Sequence, residues 1–177
     1  GNVTAELIAE GTNRTYVKIA NIPKHVQEAF IAIEDERFYE HNGIDIRGII
    51  RAGVRGLASG FKDMEGASTI TQQLLKNNVF DFMSEETFLD KVERKIQEQY
   101  LAIQLEKIMD KDEILESYLN TINLGQNSLG VQAASNRYFG KSVSELTVSE
   151  AAVLAAIAKN PSGFNPISNP AANAERR

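Results

Sequence analysis

The chain has no cysteine among its 177 residues, so disulfides and thiolate metal sites are excluded. Its two histidines, His25 and His41, are too few for a histidine metal centre. No stretch approaches the roughly 18 consecutive apolar residues of a membrane-spanning helix, and no signal peptide is visible. The net charge of −5 supplies no overall attraction for nucleic acid or anionic lipid, so any anion site has to be a local cluster. Nothing resembles a phosphate-binding glycine loop or a dinucleotide fingerprint, which argues against a nucleotide-linked substrate.

What is present is an ordinary globular composition, 42% apolar and 24% charged, at a length that suits one domain, residues 1–177. The abrupt opening at Gly1 and the closing Glu175-Arg176-Arg177, which reads as a helix cut short, suggest an excised domain.

The densest chemistry lies between Ile33 and Gly43. Val26, Ala29, Phe30 and Ile33 fall at i, i+3, i+4 and i+7, the stripe of an amphipathic helix, and Pro23 suits its first turn. Glu34 follows at the edge of that stripe, where partial desolvation raises a carboxyl pKa and improves it as a proton acceptor near neutral pH. Asp35 and Glu36 are expected to rotate toward solvent, Phe38 to wall a pocket, and Gly43 to turn the chain. The local alternative is a charged helix end with solvated acids.

Residues 3 to 20 alternate around Gly11-Thr12-Asn13 and predict a hairpin or two edge strands. Asp45 can cap a helix through Leu57, with Ile46, Ile49, Ile50, Val54 and Leu57 on one side and Arg47, Arg51 and Arg55 on another. That pairing of stripes fits a helix lying on a bilayer, and equally a solvated basic face. The run from Ser59 to Gly66 reads as a loop. Thr69 and Gln72 form a capping box, so a helix begins there. Its N-terminal N–H groups, with Ser68 and the neighbouring amides, make a ready anion site, and Lys76 adds a cation two turns in. Leu89, Val92, Ile96 and Ile103 predict the inner face of the next helix. On it, Arg94 and Glu98 at i,i+4 read locally as a surface ion pair worth about 0.3–0.5 kcal/mol. Ile114, Leu115, Tyr118, Leu119 and Ile122 form a core stripe, with Asn120 and Asn123 tying down the loop to Gly125. Thr147 with Glu150 caps an alanine-rich helix suited to close packing, and Gly140 and Asn160-Pro161 end helices.

Five segments in order carry a resemblance. Ala32 to Asp45 reads Ala-Ile-Glu-Asp-x-x-Phe-x-x-His-x-Gly-Ile-Asp. Gly66 to Asn77 reads Gly-Ala-Ser-Thr-Ile-Thr-Gln-Gln-Leu-Leu-Lys-Asn. Arg94 to Glu98 gives Arg-Lys-x-x-Glu, followed by Lys111–Asn120 and the region from Ala133 to Leu154. Nearly the whole chain therefore resembles the family 51 glycosyltransferases, the peptidoglycan glycosyltransferase (transglycosylase) domains of class A penicillin-binding proteins and their monofunctional relatives. The resemblance implies a mostly α fold: a lysozyme-like helical large lobe, a smaller membrane-facing lobe containing the arginine-striped helix, and a short N-terminal β element. It implies polymerisation of lipid II into β-1,4-linked glycan by inverting transfer, with release of undecaprenyl diphosphate.

By the same resemblance Glu34 and Glu98 are the two active-site carboxylates. Ser68, Thr69, Gln72, Gln73, Lys76, Arg94, Lys95, Phe38 and His41 bind substrate, and a divalent ion (Mg2+ or Mn2+) near Glu98 is compatible with the chemistry. Many relatives carry a further Arg before the Arg-Lys pair, where this chain offers Lys91. Partners implied are the growing lipid-linked glycan, the membrane surface and other cell wall synthesis proteins, with no nucleic acid, at the extracytoplasmic face of the bacterial membrane. Ser59-Gly60-Phe61-Lys62 also fits the Ser-x-x-Lys pattern of transpeptidases, but it lies in a predicted loop without Lys-Thr-Gly or Ser-Asp-Asn and is read as chance.

Overall fold

Phe30, Tyr118, Leu154 and Val131, far apart in sequence, meet in one apolar core with no exposed surface. They are delivered by helices in a computed structural model that describes residues 13–59, 67–80 and 87–177. The described residues form eight α-helices and a single pair of two-residue strands, so the molecule is mostly α as expected.

Helix α1 (Lys24–Glu34) starts after Pro23, whose carbonyl accepts the first turn's N–H groups from Val26 and Gln27. It buries Val26, Phe30 and Ile31 and packs on α7 (Val148–Ile157), where Ala151 and Ala155 leave room for close approach. Helix α5 (Lys111–Thr121) buries its predicted stripe, and the Tyr118 ring meets Phe30 edge-on at 6.5 Å. Between α5 and α4 (Phe88–Leu105) lies the short helix α3 (Ile70–Leu75), buried at Ile70, Thr71, Gln72, Leu74 and Leu75. The expected Thr69–Gln72 box is present in both directions. Beyond Leu75 the chain continues as a π-helical turn, Lys76–Phe80, a widening often found beside functional sites. Helices α2 (Ile46–Ser59), α6 (Val131–Phe139) and α8 (Pro170–Arg176) complete the set. Gly140, at φ 66°, ends α6 in the left-handed conformation as anticipated.

Two expectations change. The predicted N-terminal hairpin lies largely outside the described residues. Where they begin, β1 (Asn13–Arg14) pairs in parallel with the distant β2 (Ser128–Leu129), not with a neighbouring strand. Asn120 fixes this segment through its side chain, accepting from the Val17 amide and donating to the Val17 carbonyl, each at 2.8 Å. It thus ties the N-terminal segment to α5, leaving Asn123 to hold the loop by accepting from the Gly125 amide at 2.9 Å.

The larger change is in α4. Leu89, Val92 and Ile96, expected inside, are exposed, and the residues turned inward are Glu98 and Ala102. Two backbone elements press on that inner side. The Gly43 backbone lies so close that a Cβ there would sit 2.5 Å from the Ala102 carbonyl, and its φ of +89° also demands glycine. Helix α3 covers the rest. A polar network with all its partners in place occupies the position that apolar periodicity assigned to side chains such as Ile96.

Candidate active site

Glu34 is the last residue of α1, and its side chain is 10% exposed. One carboxylate oxygen accepts from Gln73 Nε2 at 3.1 Å and the other from an Arg176 terminal nitrogen at 2.9 Å. Burial pushes this carboxyl above the usual range, while the Gln73 hydrogen bond and the charges of Arg176 and Lys159 act in the opposite direction. Gln73 is itself oriented, because the Tyr118 hydroxyl donates to its Oε1 at 3.2 Å and so turns the amide nitrogen toward Glu34.

Glu98 is 1% exposed and held by three donors. Arg94 reaches Oε2 at 2.9 Å, Lys95 reaches Oε1 at 2.5 Å, and Gln72 Nε2 donates to Oε1 at 3.0 Å. Lys95 also donates to Ser68 Oγ at 2.8 Å, linking α4 to the residue just ahead of α3. Arg94 and Glu98 are thus not the surface pair of the local reading but the edge of a buried cluster.

The two carboxylates are connected through α3. Gln73 serves Glu34 and Gln72 serves Glu98, and adjacent helical residues point about 100° apart, so the helix holds the two acids on different sides of its first turn. Both glutamines, expected at the substrate, spend their polar atoms on this scaffold: Gln72 Oε1 also accepts the Thr69 amide at 3.1 Å.

Asp35 was expected in solvent. Instead it is 7% exposed, with both oxygens 3.0 Å from His41 Nε2, and Oδ2 also accepts the Ile70 amide at 2.9 Å. That amide belongs to the first turn of α3, which needs a non-helical acceptor. Thr69 Oγ1 takes the Gln72 amide at 3.1 Å and donates to the Gly43 carbonyl at 2.7 Å. The helix N-terminus expected to bind an anion therefore already holds the chain's own carboxylate. His41 is committed to Asp35, and Phe38 is fully buried with the Lys111 ammonium 4.4 Å from its ring centroid. Neither lines the cavity described next. A sequence clue to Asp35 existed in its six-residue separation from His41 across a turn; for Arg176 there was none beyond its place in a late helical run.

A cavity of about 310 Å³ opens beside these groups, lined by Ile33, Glu34, Arg37, Asp45, Ser68 and Thr69 among others. Arg37 donates to Asp45 and to Glu36, which also accepts from Arg51 at 2.6 Å. The guanidinium of Arg37 holds the Asp45 carboxyl below the usual range. Lys76 is exposed at the end of α3, and Lys91 is exposed on α4. The surroundings of Glu98 do not suit a resident divalent ion. Two cations and an amide already take its oxygens, and among the described residues no group of three or more metal-ligating side chains converges.

Across residues 1–177 the chain matches the family profile described as Transglycosylase. The chain belongs to the transglycosylase family. It is 52% identical over 177 residues to Penicillin-binding protein 1F of Bacillus subtilis, covering 100% of this chain and 24% of that protein. With Penicillin-binding protein 1A of Escherichia coli it shares 50% identity over 164 residues, 92% of this chain and 18% of that one. The crystal structure of Penicillin-Binding Protein 1A from Haemophilus influenzae aligns with a TM-score of 0.49 at 26% identity, over 94% of this chain and 14% of that chain. The chain spans about a quarter or less of the length of these relatives.

Proposed function

We propose that this transglycosylase polymerises lipid II into β-1,4-linked glycan, with Glu34 as the base and the Lys95 side of the cleft receiving the diphosphate. The observation that carries this reading is the placement of Glu34: a mostly buried carboxylate on a cavity wall, raised in pKa by that burial. Such a group accepts a proton from a sugar hydroxyl more readily than a solvated glutamate does. Its hydrogen bonds to Gln73 and Arg176 leave lone pairs on both oxygens, so the 4-hydroxyl of an incoming GlcNAc can donate to it. As that oxygen attacks the anomeric carbon of the lipid-linked MurNAc from the face opposite the diphosphate, the bond to the diphosphate breaks and the configuration inverts.

The departing diphosphate is a weak base and needs positive charge more than a proton. Lys95, which reaches Ser68 at the cavity wall, supplies it, with Arg94 behind and exposed Lys76 at the end of α3. Glu98 keeps Arg94 and Lys95 side by side, as two cations would otherwise repel. Ser68 presents the substrate side of that wall, while Thr69, 1% exposed with its hydroxyl bonded to the Gln72 amide and the Gly43 carbonyl, and Gln72, Gln73, Phe38 and His41 hold it in shape from behind.

The exposed Ile46, Ile50 and Val54 of α2, interleaved with Arg47 and Arg51, suit an approach to an anionic membrane surface. Among the described residues no helix is long and apolar enough to cross a membrane. Attachment at the extracytoplasmic face and contact with other cell wall synthesis proteins are part of the same proposal.

Lipid II incubated with the purified chain should give polymer on a gel, and finished peptidoglycan should release no fragments. Glu34→Gln should lower turnover at least about a hundredfold with lipid II binding retained. Binding lost in step with rate would count against a base.

A further inference from the structure

Arg176 approaches Glu34 from 142 residues away, and the contact is built rather than incidental. Helix α8 is fixed one turn earlier by Asn173, 2% exposed, whose Nδ2 donates to the Val153 carbonyl at 3.1 Å and the Phe164 carbonyl at 2.8 Å. The Arg176 guanidinium lies 5.3 Å from the Phe164 ring centroid. Its Nε is buried without a hydrogen-bond partner among the described residues, so solvation does not hold it there.

We propose that Arg176 is a positioning residue, delivered by α8 to keep the Glu34 carboxylate ionised and aimed for proton abstraction. This rests on the reading of Glu34 as base. Among the described residues the groups facing Glu34 are neutral Gln73 from α3, Lys159 just past α7, Arg176 from α8, and the Tyr118 hydroxyl of α5 behind Gln73. Asp35 next door is committed to His41 and the Ile70 amide, and Glu36, Arg37, Asp45 and Arg51 on the same cavity pair with one another. Among the described residues Arg176 is a cation in hydrogen-bond contact with the carboxylate, so removing it leaves the effect of burial less opposed and enlarges the share of the protonated acid, which cannot act as a base. Its role is electrostatic as well as geometric, so its loss should be felt unevenly across pH.

The test is the pH profile of lipid II polymerisation for the wild type, Arg176→Met, Arg176→Gln, Arg176→Lys and Glu34→Gln, each with a thermal melt. Removing a positive charge from beside a carboxylate raises its pKa, so the acid limb should move to higher pH. In Arg176→Met and Arg176→Gln the rate relative to wild type at pH 6 should be roughly tenfold lower than the same ratio at pH 8.5. Arg176→Lys should keep the limb near its wild-type position. Should Arg176→Met not fold, the Gln and Lys variants decide alone. An unmoved limb, a uniform loss at every pH, or a rise in KM with kcat and the limb unchanged would overturn the proposal, the last by making Arg176 a substrate contact. An active Glu34→Gln would instead overturn the base assignment itself, a separable result.

Discussion

Helices α4 and α5 begin alike and are used in opposite ways. Both start from a reciprocal capping box, Thr87 with Asp90 and Asp110 with Glu113, and both carry an apolar stripe at helical spacing. In α5 that stripe, Ile114, Leu115, Tyr118 and Leu119, is wholly buried. In α4 the stripe of Leu89, Val92 and Ile96 faces outward, and a carboxylate with two cations occupies the interior side. A helix can afford this inversion only where every buried polar atom has a partner, since an unpaired buried charge costs several kcal/mol. Glu98 meets that condition through Arg94, Lys95 and Gln72. The difference teaches that an element violating its own periodicity marks a place where a buried polar cluster, here a proposed part of the site, has displaced the apolar core.

The sharpest way to break this contrast is Glu98→Gln. If the inward face of α4 serves catalysis, polymerisation should fall by about 10²–10³-fold, the scale of losing one preorganised electrostatic group, while the chain still folds. A variant with near-normal activity would reduce the cluster to a structural clamp. On α5 the converse is expected. Leu115→Ala should lower stability by roughly 3 kcal/mol through the cavity it leaves, read by urea melts, with the specific activity of the folded fraction unchanged.

These two helices also mark how far the residues could be read without coordinates. The α5 stripe, the boxes at Thr69 and Thr147 and the turn at Gly43 are local devices, in which each residue's partner lies within a few positions or is the backbone itself. The orientation of α4 is not local. Its inner face is decided by Gly43 and by α3, both brought in by the tertiary fold, and apolar spacing carries no information about either. The same holds for Asp35, whose acceptor role depends on an amide 35 residues away, and for Arg176. Motif resemblance singled out Glu34 and Glu98. That Gln72 and Gln73 would serve these carboxylates needed the packing of α3 between its neighbours, because a glutamine at a cleft and a glutamine behind one look identical in a sequence.

Tyr118 joins the two halves of the comparison, being part of the α5 core and yet hydrogen-bonded to Gln73. Tyr118→Phe keeps the edge contact with Phe30 and removes only the hydroxyl. Stability should fall by about 1 kcal/mol. The Gln73 amide, no longer anchored at its oxygen, would hold Glu34 less firmly through its Nε2, and kcat should drop severalfold with KM little changed. Equal effects on kcat and KM would mean that Gln73 meets substrate directly.

The smallest effect is expected at the outward stripe of α4. Ile96 is 62% exposed and Leu89 76% exposed, so neither exposes much further apolar surface to water on unfolding. Ile96→Ser should therefore change stability by no more than about 0.5 kcal/mol, as a surface substitution does, a small fraction of the loss at Leu115 despite the similar side chain. The slightly lower helix propensity of serine than isoleucine falls within that range. A loss above about 1 kcal/mol would show that the stripe is covered in solution after all. The inversion between α4 and α5 would then be only apparent, and burial of the Glu98 cluster would have to be explained without it.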